Sequence, residues 1–167
     1  MGKLDNLGAI VTGAAEGIGE AIALELASNG AKVACIDFNE ESGNDTAKKI
    51  IDSGGEATFI KTDISDPDQV KKMVNSSVEF LGSIDILVNN AAKFTFGAVE
   101  DVTQEEWEDI LKVNVIGYST CVKEALPHLK KSGKSAVVNL ASVSSLIAGP
   151  KFVPYNTSKG AVLMLTR

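Results

Sequence analysis

The 167-residue sequence has one histidine, one tryptophan and two cysteines, and only 5% of its residues are aromatic. A lone histidine, His128, cannot supply the ligand spacing of a transition-metal site, so no metal is expected. Cys35 and Cys121 lie far apart inside apolar or periodic stretches, which suits buried reduced thiols better than a disulfide framework. No run of about 20 apolar residues is present, which excludes a transmembrane span. The opening Met-Gly-Lys-Leu-Asp lacks the apolar core of a secretory signal. A cytoplasmic location is therefore expected, with no membrane partner. Basic residues never run longer than a pair such as Lys130-Lys131, and 16 of them face 22 acidic ones for a formal charge of −6. Such a balance argues against a footprint for DNA or RNA. What is present is 44% hydrophobic residues, too many for a disordered chain and enough for a single soluble domain.

Periodicity reveals a repeated unit of short apolar run, turn, amphipathic stretch and glycine. Leu7 to Val11, Lys32 to Ile36, Ala57 to Ile60, Ile84 to Val88 and Ala136 to Leu140 read as strands. Gly17 to Ser28, Glu40 to Asp52, Pro67 to Leu81 and a longer region from about Thr103 to Lys131 read as helices, with a last helix beginning near Tyr155. Gly30, Gly54-Gly55 and Gly82 sit where left-handed helix ends are needed. Thr103 with Glu106 reads as a capping box, and Asp66-Pro67 puts proline at a first helical position. Trp107, Phe59 and Phe80 are expected in the core, and His128 near a solvated helix end. Strands alternating with helices predict a doubly wound, Rossmann-type α/β domain: a parallel sheet covered by helices on both faces.

The first strand delivers the chain into Thr12-Gly13-Ala14-Ala15-Glu16-Gly17-Ile18-Gly19, just before the first helix. Glycines there allow a tight turn and close backbone approach to a pyrophosphate, met by free N–H groups at the helix start. The spacing is G-x-x-x-G-x-G and not the general dinucleotide fingerprint, and a plain packing turn competes with this reading. Asp37 decides for a nucleotide: it ends the second strand 18 residues after Gly19, close to the roughly 20 expected of a ribose-binding acid. An acid there accepts from ribose hydroxyls and repels a 2′-phosphate, so NAD is preferred over NADP. Glu16 points the same way, and Phe38 follows Asp37 at the same edge.

Tyr155 and Lys159 stand four positions apart, on one face of the last predicted helix. A phenol with its ordinary pKa near 10 is a poor acid–base catalyst at neutral pH, and a cation held beside it favours the phenolate. Alone, the pair reads more readily as an ordinary helix-surface contact, because tyrosine and lysine are common on helices.

Taken in order, these motifs resemble the single-domain branch of the short-chain dehydrogenase/reductase family. Residues 12–19 resemble its cofactor turn, and Asp63-Ile64 its adenine-contacting acid after strand three. Asn89-Asn90-Ala91-Ala92 resembles its N-N-A-G, with Ala92 in place of the usual glycine. Asn114 in Lys-Val-Asn-Val, Ser142 at 13 residues before Tyr155, Tyr155 and Lys159 resemble its catalytic tetrad. The resemblance implies an oxidoreductase moving a hydride between NAD(H) and a small-molecule alcohol or carbonyl. Tyr155 would act as general acid or base, Ser142 would hold the substrate oxygen, and Lys159 would hold the nicotinamide ribose. Asn114 would position a water linking Lys159 to solvent. Gly13, Glu16, Gly17, Ile18, Gly19, Asp37, Phe38, Asp63, Ile64, Asn90, Ala91 and Ala92, with Tyr155 and Lys159, would line the cofactor. A homo-oligomer, tetramer or dimer, would pack through the long helix near Asn114 and the helix bearing Tyr155. Family members run on the order of 250 residues, so the resemblance also implies missing C-terminal strands and an unpaired sheet edge. Rival readings are an acyl-carrier-protein ketoreductase, which Asp37 disfavours, a non-catalytic NAD-binding protein, and a truncated chain that binds cofactor weakly.

Overall fold

The structure, a computed structural model, describes residues 2–167. Five strands, β1 (Gly8–Thr12), β2 (Lys32–Asp37), β3 (Glu56–Lys61), β4 (Ile86–Asn89) and β5 (Ala136–Asn139), form one sheet. Its order is β3-β2-β1-β4-β5, and each neighbouring pair is parallel. Six helices join and follow them: α1 (Gly17–Ser28), α2 (Glu40–Asp52), α3 (Pro67–Leu81), α4 (Gln104–Leu111), α5 (Tyr118–Ser132) and α6 (Val153–Leu165). The doubly wound α/β architecture is as expected.

Side chains alternate across each strand, and the alternation sorts the core into two layers. Ile10 of β1, with Ala34 and Ile36 of β2, packs on α3, α5 and Val162 of α6. Ala9 and Val11, with Val33 and Cys35, packs on α1 and α2. The central strand β1 is buried along its whole length because a central parallel strand has no wet face. Both cysteines are free and buried. Among the described residues no helix is long and apolar enough to cross a membrane.

Helix ends follow the predicted chemistry. Gly30 (φ 98) donates to Ala27 O while Ala31 donates to Leu26 O, which closes α1 with a left-handed turn. The Thr103–Glu106 capping box forms, and Asp66 caps α3 ahead of Pro67. Other expectations need correction. Strand limits differ by one or two residues, as hydrogen bonding decides them, and α6 starts at Val153 with Pro154 in its first turn. Trp107 is half-buried outside both clusters and Phe80 is 38% exposed. Each lies at the margin of the face its helix turns inward, one turn from buried Ile110 and Ser77 respectively, and apolar character alone does not draw it in. Phe59 does pack against the core, and His128 is half-buried. The long helical region expected from Thr103 to Lys131 is not one uniform helix. Instead Lys112–Gly117 widens into a π-helical segment running without a break from α4 into α5.

At the end of the sheet remote from the cleft, Asp85 is 5% exposed and accepts from the Gly8 N–H at 2.8 Å, from Ser83 Oγ at 2.7 Å and from Ser132 Oγ. Burial alone would raise its pKa, but these donors hold it below the usual carboxylate value. At the sheet's edge, Val137 and Val138 of β5 are 38% and 47% exposed.

Candidate active site

The chain runs β1-β2-β3 outward on one side, then crosses to β4 on the other side of β1. A crevice opens where the connections part, beyond the carboxyl ends of β1 and β4. Thr12 and Asn90 define it. The Thr12 hydroxyl donates to Val88 O and accepts from the N–H groups of Asn90 and Ala91 at 3.0 and 3.2 Å. The Asn90 amide donates to Thr12 O and Gly13 O. An open cavity of about 1030 Å³ lies above this seam.

The glycine turn forms its floor. At Gly13 (φ 66) a Cβ would meet Ala91 Cα at 2.7 Å, and at Gly19 one would meet Gly13 O at 1.9 Å. Gly17 (φ 59) faces open space instead. The capping residue of α1, Glu16, makes no side-chain bond to the helix start, whereas Asn39, Asp66 and Thr103 cap α2, α3 and α4. The first N–H groups of α1 are thus left for an anion. A turn cleared of Cβ atoms beside an uncapped helix start fits a dinucleotide pyrophosphate.

Asp37 is 8% exposed and reaches the cavity wall. Its Oδ2 accepts from Ala15 N–H and its Oδ1 from Asn39 N–H, each at 3.0 Å. The carboxylate therefore also holds the glycine turn and the start of α2. Phe38 is 75% exposed beside it. Glu16, Gly17, Ile18, Asp63, Ile64, Ala91 and Ala92 share the same wall. Gly19 does not, because it packs beneath the turn.

At the other end of the cavity stand Tyr155 and Lys159. Lys159 is 2% exposed. Its ammonium donates to Leu140 O at 2.6 Å and lies 5.9 Å from the Tyr155 ring centroid. Burial pushes its pKa down from 10.5 to about 8. Between those values an unfolded Lys159 holds a proton that the folded one has released, so stability rises with pH in that window. Measured against Lys159→Met at each pH, wild type should gain about 3 kcal/mol in unfolding free energy from pH 8 to 10.5. A flat difference in denaturant midpoints would refute the burial.

Asn114 and Ser142 are not among the residues that line the cavity. Asn114 is fully buried. Its Oδ1 accepts from Lys93 N–H at 2.8 Å, and its amide donates to Lys93 O and Ser158 Oγ, each at 3.0 Å. Both amide N–H groups are occupied, so this side chain does not donate to the water expected of it. It ties the loop after β4 to α6, where Ser158 Oγ donates on to Tyr155 O. Ser142 caps a short 3-10 turn, Val143–Ser145, its Oγ accepting from Ser144 N–H at 3.1 Å. Its hydroxyl proton remains for an outward bond. Ser145, at the end of the same turn, accepts from Ser142 N–H and donates to Lys159 O, pinning this turn to α6. Also unforeseen is the stacking of Phe94 on Tyr155, centroids 5.0 Å apart at 19°, with Phe96 and Phe152 edge to face beside it.

A sequence profile of short chain dehydrogenases matches residues 8–167. The chain belongs to the short-chain dehydrogenase/reductase family. It is 39% identical over 165 residues to a meso-2,3-butanediol dehydrogenase of Serratia marcescens, covering 99% of this chain and 64% of that protein. To an uncharacterized oxidoreductase of Thermotoga maritima it is 38% identical over 158 residues, covering 95% and 62%. Among solved structures, a short-chain dehydrogenase/reductase from Burkholderia phymatum in complex with NAD superposes with a TM-score of 0.95 at 32% identity, covering 99% of this chain and 59% of that one. Carveol dehydrogenase of Mycobacterium avium, also in complex with NAD, gives 0.95 at 29% identity, covering 100% and 65%. The chain thus spans a little under two thirds of these relatives' length. Both of these structural neighbours were solved in complex with NAD.

Proposed function

We propose that the protein oxidises an alcohol, or reduces the matching ketone, with NAD(H), using Tyr155 as general acid–base. The observation that carries this reading is a single cavity with a ribose-type acid, Asp37, at one end and the Tyr155–Lys159 pair at the other. NAD, when bound, supplies the hydride acceptor, and its reduced form the donor. Asp37, with Phe38 beside it, would hold the adenosine ribose and turn away a 2′-phosphate, and Asp63 with Ile64 would flank the adenine. Gly13, Gly17, Ile18 and the start of α1 would take the pyrophosphate, while Gly19 keeps the turn tight from below. Asn90, Ala91 and Ala92 lead from there to Tyr155. Tyr155 would exchange the proton of the substrate hydroxyl, Ser142 would hydrogen-bond the substrate oxygen, and Lys159 would place a positive charge by the phenolate. Asn114 would keep α6 in register with the cavity.

Phe94, Phe96 and Phe152, 58%, 55% and 40% exposed around Tyr155, favour a substrate with apolar surface near its reacting carbon. Residues 1–167 are read as one NAD-binding domain. Exposed Ile116 and Leu126 on the long helical run and Met164 and Leu165 on α6 favour a homo-oligomer, dimer or tetramer, packed through these helices. Free, buried thiols suit the cytoplasm. NADH fluorescence titration followed by an alcohol panel read at the NADH absorbance tests the proposal. Binding with turnover of at least one secondary alcohol is expected. Binding without turnover would leave only a nucleotide-binding protein, and tighter NADPH binding would overturn the cofactor choice.

A further inference from the structure

Lys159 is a buried ammonium without a counter-ion: among the described residues, none of the ion pairs includes it. Leu140 O takes one of its three N–H groups. Two aromatic faces lie within cation–π reach, that of Tyr155 and, at 5.5 Å, that of Tyr118. Tyr118 is wholly buried, and among the described residues its hydroxyl has no hydrogen-bond partner. What this side chain offers Lys159 is therefore its ring face. Its position follows from the π-helical segment, which it directly succeeds. Asn114 and Tyr118 address adjacent residues of α6, Ser158 and Lys159, from one side of the long helix.

We propose that Tyr118 is a positioning residue for the reaction, holding the Lys159 ammonium charged and in place beneath Tyr155 through the negative face of its ring. The inference rests on the role proposed above for Lys159 beside Tyr155. Tyr155 would touch the substrate, and Tyr118 would act through Lys159 alone. The other titratable group against Tyr118 is the Cys121 thiol, which burial pushes up to about 12 and so keeps neutral. Lys93 and Asp109, charged groups of the cavity wall, are paired with each other.

The test follows Lys159 directly. In the protein carrying isotope-labelled lysine, its NMR signal is assigned by its disappearance in Lys159→Arg and titrated with pH. Wild type and Tyr118→Phe should titrate alike, near 8. Tyr118→Leu, which removes the ring, and a fluorinated phenylalanine at position 118, which keeps its volume but depletes its face, should titrate about one pH unit lower, a tenfold change in proton affinity. With any alcohol that wild type oxidises, the last two should lose about fivefold in kcat at pH 8, since the charged fraction of Lys159 would fall from about one half to about one tenth, with KM for NAD unchanged, and Tyr118→Phe should stay within twofold. An unmoved titration in the fluorinated protein overturns the inference, and so does a Tyr118→Phe loss equal to that of Tyr118→Leu. Should Tyr118→Leu fail to fold, the fluorinated protein decides. A wild type that oxidises nothing overturns the proposed function instead, and the titration still reports on Tyr118.

Discussion

Tyr155→Phe should lower kcat by roughly 10² to 10⁴, the range a positioned acid–base group contributes, while NADH affinity stays within about twofold. The substitution removes one oxygen and keeps the ring. The stack on Phe94 at 5.0 Å and the face presented to Lys159 at 5.9 Å survive it. Among the described residues no hydrogen bond of the Tyr155 side chain holds the fold: what α6 receives from this residue is the main-chain bond from Ser158 Oγ to Tyr155 O. Loss of rate with the fold intact is thus the signature of the hydroxyl alone. Steady-state rates in both directions, paired with fluorescence titration of NADH, measure it. Full activity in Tyr155→Phe would remove the phenol from the reaction.

Asp37→Ala should weaken NAD binding about 10- to 100-fold, because hydrogen bonds to a charged group contribute about 1.5 to 3 kcal/mol each and every 1.4 kcal/mol is a factor of ten. NADP should lose far less, so the ratio of the two affinities moves toward NADP. A second effect comes from the fold. The same carboxylate accepts from Ala15 and Asn39 N–H, and its removal leaves those groups unpaired. Each such loss costs about 1 to 3 kcal/mol where water cannot enter, and at this chain length the melting temperature should fall by roughly 5 °C. Asp37→Asn, which keeps one acceptor oxygen and loses the charge, should retain more stability than Asp37→Ala while still weakening NAD. Calorimetric binding of both nucleotides and thermal melts separate the two effects. Unchanged NAD affinity in Asp37→Ala would sink the ribose assignment.

The strand–helix order, the sheet's parallel character and most helix ends were readable in the residues because local chemistry fixes them. β-branched runs, Gly30 at φ 98 and the Asp66-Pro67 start each act within a few positions of themselves. The cavity residues were readable for the same reason, since every strand of a parallel sheet ends at one edge and the motifs sit at strand ends. What could not be read depends on partners distant in sequence. Asn114 meets Lys93 and Ser158, 21 and 44 positions away, and its Lys-Val-Asn-Val setting marked the residue without showing those partners. The π-helical widening that carries it has no local code, nor does the Phe94–Tyr155 stack. Burial of single aromatics proved equally nonlocal: Phe59 packs inward while Trp107 and Phe80 do not.

The seam between β1 and β4 also sets a timetable. Its bonds, Gly8 to Asp85, Thr12 to Val88, and Asn90 and Ala91 to Thr12, join residues 76 to 79 positions apart. The first three strands with α1 and α2 can gather one face of the sheet early in synthesis. The Thr12 hydroxyl and Gly13 carbonyl must wait for Asn90, which at about 5 to 20 residues per second follows them from the ribosome by several seconds. If the proposed cofactor site is right, a nascent chain would not grip a nucleotide until the crossover has been made, and nucleotide capture would mark the moment at which the two halves of the sheet have found each other.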